Sequence, residues 1–167
     1  QIIFPYMEKI GILWVTNHIN PAQEHLVSNV IRQKLIVGIE SVSTSTKVNK
    51  TILLFLPEGE HHELGMLFMY YLLKSRGVST IYLGANVPLN DVEYVVNLKT
   101  PNYLYLHLTS AGHNFNFEKF ILAITRKFSG TPIIISGLLT QSYERKIPPH
   151  INFKKTFSEV MEFVAKL

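Results

Sequence analysis

A doubly wound parallel α/β sheet, preceded by a helical-bundle segment, is predicted by three observations. Strand-like and helix-like stretches alternate about five times between residues 51 and 167. The first strand-like stretch is apolar along nearly its whole length, as a strand covered on both faces must be. The first forty residues carry only helical spacing, and a Ser/Thr-rich stretch separates them from the rest.

Taken in order, Ile2 to Ile19 and Pro21 to Ile39 are each long enough for a helix, with apolar pairs at Leu26/Val30, Val27/Ile31 and Leu35/Ile39. Asn20 is a good cap, Pro21 suits the first helical position, and Gln23 completes a capping box. Two helices cannot bury their apolar faces alone, so further helices are expected upstream of Gln1 or from another chain. Ser41 to Lys50 has five Ser/Thr residues in ten and reads as a connection. The expected division is a helical cap over 1–42, a linker over 43–50 and an α/β domain over 51–167. Within the last, Thr51 to Pro57 is the buried strand and His61 to Ser75 a helix through Leu64, Leu67, Phe68, Tyr71 and Leu72. Then follow a strand at Ser79 to Leu83, a helix at Leu89 to Leu98, a strand at Tyr103 to Thr109, a helix at Phe117 to Phe128 and a strand at Pro132 to Ser136. A fifth strand near His150 to Phe153 has a weaker signal, and Phe157 to Leu167 closes the domain as a helix. Such a sheet binds its ligand beyond the carboxyl ends of the strands, which directs attention to the loops after Pro57, Leu83, Thr109 and Ser136.

Composition narrows the function classes. At 47% hydrophobic and 17% charged residues, the chain has the apolar content of a packed core and not of a disordered segment. Sixteen basic against 12 acidic residues leave +4, too little for a dedicated nucleic-acid surface. The absence of cysteine excludes disulfides, thiolate metal sites and cysteine nucleophiles. The longest apolar run, Met66 to Leu73, cannot span a bilayer, so no membrane association is expected. The chain starts at Gln1, inside an apolar segment with no basic leader, and is expected to be a piece of a longer cytoplasmic protein.

The loop after the first strand, Pro57-Glu58-Gly59-Glu60-His61-His62-Glu63-Leu64-Gly65, gathers two imidazoles and three carboxylates where the fold places ligands. A histidine in the opening turn of a helix meets the positive end of the dipole, which favours a neutral, metal-competent ring. Gly65 would let a backbone or a cofactor approach closely. By composition alone, the same loop reads equally as a solvated stretch that starts a helix. A catalytic zinc site is disfavoured, because His-His-Glu lacks the two histidines at i and i+4 around a glutamate.

The spacing of Glu60, His62 and Gly65 resembles the Asp-x-His-x-x-Gly signature of cobalamin-binding domains, with Glu in place of Asp. The resemblance implies that His62 ligates cobalt from below, that Glu60 holds the other ring nitrogen, and that Gly65 is a close-approach position. His61 matches nothing in the signature and is expected to face solvent. Leu83 to Pro88 is similar to the loop that ends the second strand of those domains. Their Ser-x-Leu and Gly-Gly elements form a slot for the cofactor's nucleotide tail. Here Thr109 or Ser110 would supply the hydroxyl, and Ser136-Gly137 replaces the glycine pair, so Ser136 adds a side chain where the dimethylbenzimidazole ring should pass.

In the helical half, Trp14, nine residues, then Glu24-His25 resembles the Trp-x9-Glu-His signature of the CarH/LitR-type light-sensing MerR-family transcriptional regulators. In that family a DNA-binding domain precedes a helical cap and a cobalamin domain, and adenosylcobalamin supports a repressing tetramer that light dissociates. The resemblance implies that Trp14 packs on the upper axial group, with Glu24 and His25 supporting the adenosyl pocket. Read from the residues alone, Trp14 is a large core side chain, and Glu24 and His25 point about 100° apart on the helix. One position departs from the family: Val15 stands where a histidine captures cobalt after photolysis, and His18 lies about 4.5 Å further along the axis.

These readings predict a non-enzymatic effector-sensing and oligomerisation region of a MerR-family regulator. It would bind cobalamin, adenosylcobalamin being favoured, would self-associate as a dimer or tetramer, and would reach DNA only through a separate N-terminal domain. A corrinoid-carrier subunit of a methyltransferase and a regulator domain that works without cobalamin are the alternatives.

Overall fold

The computed structural model describes residues 20–109 and 115–167. The helix expected over 2–19, with Trp14, Val15 and His18, lies outside the described residues, as does Ser110.

Helix α1 spans Pro21–Ser41. Its capping box is closed in both directions: Gln23 N–H donates to Asn20 Oδ1 at 2.9 Å and Asn20 N–H donates to Gln23 Oε1 at 3.0 Å. Leu35 and Ile39 are its buried anchors, packed with Leu67 against the partly buried Leu64, Phe68 and Tyr71. The other side of α1 leaves Leu26 68% and Val37 62% exposed. Leu35→Ala should therefore cost about 3 kcal/mol of stability, whereas Val37→Ala should stay within about 0.5 kcal/mol, both read from urea unfolding.

The remaining elements are β1 (Val48–Pro57), α2 (Leu64–Ser75), β2 (Val78–Val87), α3 (Leu89–Lys99), β3 (Tyr103–His107), α4 (Phe117–Lys127), β4 (Ile133–Ser136), a 3₁₀ turn (Leu138–Thr140), β5 (Ile151–Lys154) and α5 (Phe157–Ala165). The strands form one sheet in the order β2-β1-β3-β4-β5, and every pairing is parallel. The chain leaves β1 towards β2 and then crosses to β3 on the other side, so the topological switch lies between β1 and β3. Ile52 to Leu56 are fully buried, the physical reason for the uninterrupted apolar run.

Several boundaries differ from the sequence expectation. β1 begins at Val48, inside the expected linker 43–50, because Val48 N–H donates to Gly77 O at 3.0 Å and Val48 pairs with Val78. β2 runs on past Leu83 to Val87, since pairing continues through Phe55 with Gly84 and Pro57 with Val87. α2 starts at Leu64 instead of His61: Glu60 N–H closes a turn on Pro57 O and Glu63 N–H closes another on His61 O, so 61–63 belong to the loop. β3 ends at His107, two residues before Thr109, and β5 is formed at Ile151–Lys154.

Candidate functional site

The loop between β1 and α2 is pinned before any ligand is considered. Gly59 turns with φ of 84°, and its N–H donates to Asn86 Oδ1 at 3.0 Å, while Asn86 N–H donates to Glu60 O at 3.2 Å. The ends of β1 and β2 are thus tied together, and Glu60 is drawn in to 2% exposure. A buried carboxylate needs donors, and here Oε1 accepts the His62 backbone N–H at 2.9 Å and meets His62 Nδ1 at 2.6 Å. A carboxylate can only accept, so Nδ1 carries the proton and Nε2 is the acceptor nitrogen of the ring. The His62 side chain is 62% exposed.

The same contact corrects the expectation of a dipole-suppressed imidazole. The hydrogen bond to Glu60 holds the His62 pKa above its ordinary value, burial opposes it, and the charges of Glu60 and Glu24 add to the rise. His62 also lies outside the first turn of α2, so the helix dipole does not dominate. The helical half lies close to the loop, since Arg32 of α1 reaches Glu63. Glu24 accepts Ser28 Oγ–H and pairs with His25 Nδ1 at 3.2 Å, but the His25 side chain is 76% exposed. Glu24 is thus partly buried, whereas His25 points to solvent, as does His61.

Glu63 is a link that sequence reasoning left without a role. Its Oε2 accepts Arg32 Nε–H of α1 at 2.9 Å, and its Oε1 accepts Tyr82 O–H of β2 at 3.1 Å. Burial and the adjoining Glu63 carboxylate keep the Tyr82 phenol well above its usual pKa, so it remains a donor. One carboxylate next to His62 joins α1, the loop and the sheet.

The tail-slot residues are arranged differently from expectation. Gly137 adopts φ of 99° and lets the chain press on β3: a Cβ there would lie 2.3 Å from Leu108 O. Its glycine is explained by backbone approach alone. Ser136 is buried, with Oγ 2.6 Å from Tyr105 Oη and 2.9 Å from His107 Nδ1. Its hydroxyl is thus turned onto β3. Burial pushes Tyr105 up to about 12 and holds His107 down to about 4. The protonated phenol and the neutral imidazole thus both meet Ser136 Oγ, which also reaches Leu106 O at 3.5 Å. Thr109 is partly buried, just beyond the end of β3.

Sequence reasoning missed His107. Its imidazole fills the space over Gly65: a Cβ on Gly65 would lie 2.3 Å from Cδ2 and 2.4 Å from Nε2. The group that approaches Gly65 is the protein's own ring, a side chain in place of the backbone or cofactor expected there. The available signal was a polar residue at the end of an otherwise apolar run, Tyr103 to Leu108, on a strand bordering the switch point. A corrinoid accordingly fits at one end of the site and not at the other. The Glu60-held His62 has the donor chemistry of a single axial ligand, whereas the crevice between Gly65 and β3 is filled. Among the described residues no three His, Asp or Glu side chains converge as a metal site of their own.

No family model matches the chain. In sequence it is similar to the HTH-type transcriptional repressors CarH and CarA of Myxococcus xanthus, each 26% identical over 145 residues. The match takes in 86% and 87% of this chain and 48% of each repressor, so the chain spans about half the length of the curated relatives it matches. In fold it is similar to the monomethylamine corrinoid protein of Methanosarcina barkeri, with a TM-score of 0.74 at 14% identity over 96% of this chain and 77% of that one. A cobalamin-binding protein from Desulfitobacterium hafniense DCB-2 gives a TM-score of 0.51 at 13% identity, with the same coverage of both chains. The α/β architecture is shared with these two solved proteins, and the sequence likeness lies with the CarH and CarA repressors.

Proposed function

We propose that this chain is the cobalamin-binding, effector-sensing region of a CarH-type transcriptional regulator, with His62 as the lower axial ligand to cobalt. The observation that carries the reading is the buried Glu60 carboxylate on His62 Nδ1, which orients Nε2 as a single imidazole donor at the carboxyl end of β1. When bound, the cofactor would supply a cobalt centre with an exchangeable upper ligand. The protein's own contribution is to hold the ring, to keep Glu60 dry, and to bring α1 over the same loop through the Arg32–Glu63–Tyr82 link.

The finer assignments belong to the same proposal. Glu24 and Trp14 would serve the upper face, with adenosyl as the favoured upper ligand. The region would be non-enzymatic and would work by linkage: a ligand that favours the self-associated state raises avidity for a repeated operator, which a separate DNA-binding domain reads. A response to light would proceed without the histidine that Val15 replaces. A corrinoid carrier for a methyltransferase shares the architecture, but the sequence likeness to the repressors favours the regulator.

The test is direct. The purified protein is mixed with adenosylcobalamin in the dark, gel-filtered and examined by visible spectroscopy and by its elution volume before and after green light. Retained chromophore with an imidazole-ligated spectrum is expected, with an elution shift on illumination. His62→Ala should weaken retention at least tenfold or convert the spectrum to the base-off form. A spectrum unchanged by His62→Ala would remove His62 from the cobalt, and an unchanged elution volume would remove the light response.

A further inference from the structure

The crevice at the switch point is closed by a side chain of this protein. His107 stands at the carboxyl end of β3, beside β1, and its ring lies against the backbone of Gly65 in the first turn of α2. It is held there by Ser136 Oγ at 2.9 Å, itself in contact with Tyr105 Oη at 2.6 Å. Ser136 and Tyr105 are buried, so the ring is anchored from within the sheet. Filling this space has a chemical consequence for a corrinoid. The lower position of cobalt takes one nitrogen, so a cofactor held by His62 must release its own dimethylbenzimidazole base. The released base needs a place beside the loop, and the fold offers the crevice between α2 and the ends of β1 and β3. An aromatic ring already occupies it.

We propose that His107 is a plug in the tail crevice that makes this site select corrinoids without a nucleotide base over intact cobalamin. The proposal rests on the corrinoid reading and extends it to specificity: His62 supplies the ligand, and His107 sets which class of corrinoid enters at low cost. Cobinamide, which has the corrin ring and cobalt but no base, leaves the crevice undisturbed. Intact cobalamin has to displace the imidazole from Ser136 and from its packing on Gly65, which costs a hydrogen bond and close packing. Serine at 107 keeps a hydroxyl near Ser136 but clears the space over Gly65.

Titrations of the wild-type protein, His107→Ser and His107→Asn with aquacobinamide and with hydroxocobalamin, in the dark and followed by visible absorbance, test this. The wild-type protein is expected to bind aquacobinamide at least tenfold more tightly than hydroxocobalamin. His107→Ser should tighten hydroxocobalamin at least tenfold and leave aquacobinamide within twofold. His107→Asn, which retains a polar partner for Ser136, should move the ratio in the same direction and guards against a folding defect in the serine variant. A wild-type preference for hydroxocobalamin, or a ratio that neither substitution moves, overturns the plug while leaving the corrinoid reading in place. Failure of all three proteins to bind either corrinoid overturns that reading and the plug with it.

Discussion

Gly137→Ala is expected to destabilise the protein by about 4 kcal/mol, the sum of a backbone and a packing cost. Its φ of 99° and ψ of 174° lie in a region that only glycine visits readily, worth about 1–3 kcal/mol for any other residue. The added methyl would lie 2.3 Å from Leu108 O and 2.7 Å from its carbonyl carbon. Neither atom is the end of a flexible side chain. Leu108 is fixed by its N–H to Ser136 O at 2.8 Å, and its oxygen accepts Leu139 N–H at 3.2 Å, so relief requires β3 and β4 to part. Overpacking of this kind costs about 1–3 kcal/mol. The control is Gly130→Ala, where nothing lies within 4 Å and the φ is ordinary. Urea unfolding should give a large drop for the first and a change within about 0.5 kcal/mol for the second. Equal effects would remove the backbone argument for Gly137 and restore a ligand as the reason for its glycine.

Acidification should cost the protein about 3 kcal/mol between pH 6.5 and pH 4, through His107 alone. The ring is neutral and partly buried in the folded protein, and desolvation lowers its pKa from 6.5 to about 4, with the charge of Glu60 opposing the shift. Between those values the unfolded chain binds a proton that the folded chain does not. Stability from this group is therefore complete above pH 6.5 and is lost as pH falls towards 4. His62 acts with the opposite sign: its raised folded pKa contributes below pH 6.5 and fades as pH rises through the folded value. Comparing wild type with His107→Asn separates the two. The wild-type unfolding free energy should fall more steeply on acidification, and the difference should flatten above pH 6.5. Parallel pH profiles for the two proteins would show that His107 titrates as it does in the unfolded chain.

Much of the architecture was legible because it depends on neighbours along the chain. The Asn20 cap followed from a four-residue pattern, and the buried first strand from seven consecutive positions. The pairing of Glu60 with His62 has the same character, since a spacing of two in a tight turn brings carboxylate and imidazole together. Boundaries shifted where pairing partners were distant, as in the extension of β2 to Val87 against Pro57. The proton affinity of His62 ran against the dipole expectation because a hydrogen bond at 2.6 Å outweighs a helix that starts two residues later.

By itself, the sequence determined the order of strands and helices, the Asn20 cap and the pairing of Glu60 with His62 in the loop after the first strand. Only the tertiary structure decided that Glu63 joins Arg32 to Tyr82, that His25 faces solvent while Glu24 is partly buried, and that His107 lies on Gly65. The physical reason is range. Periodicity, capping and short spacings act within a few residues and leave a local signature, whereas the crevice is formed where α2 and β3 meet, and which side chain fills it is set by packing between segments that no local pattern connects.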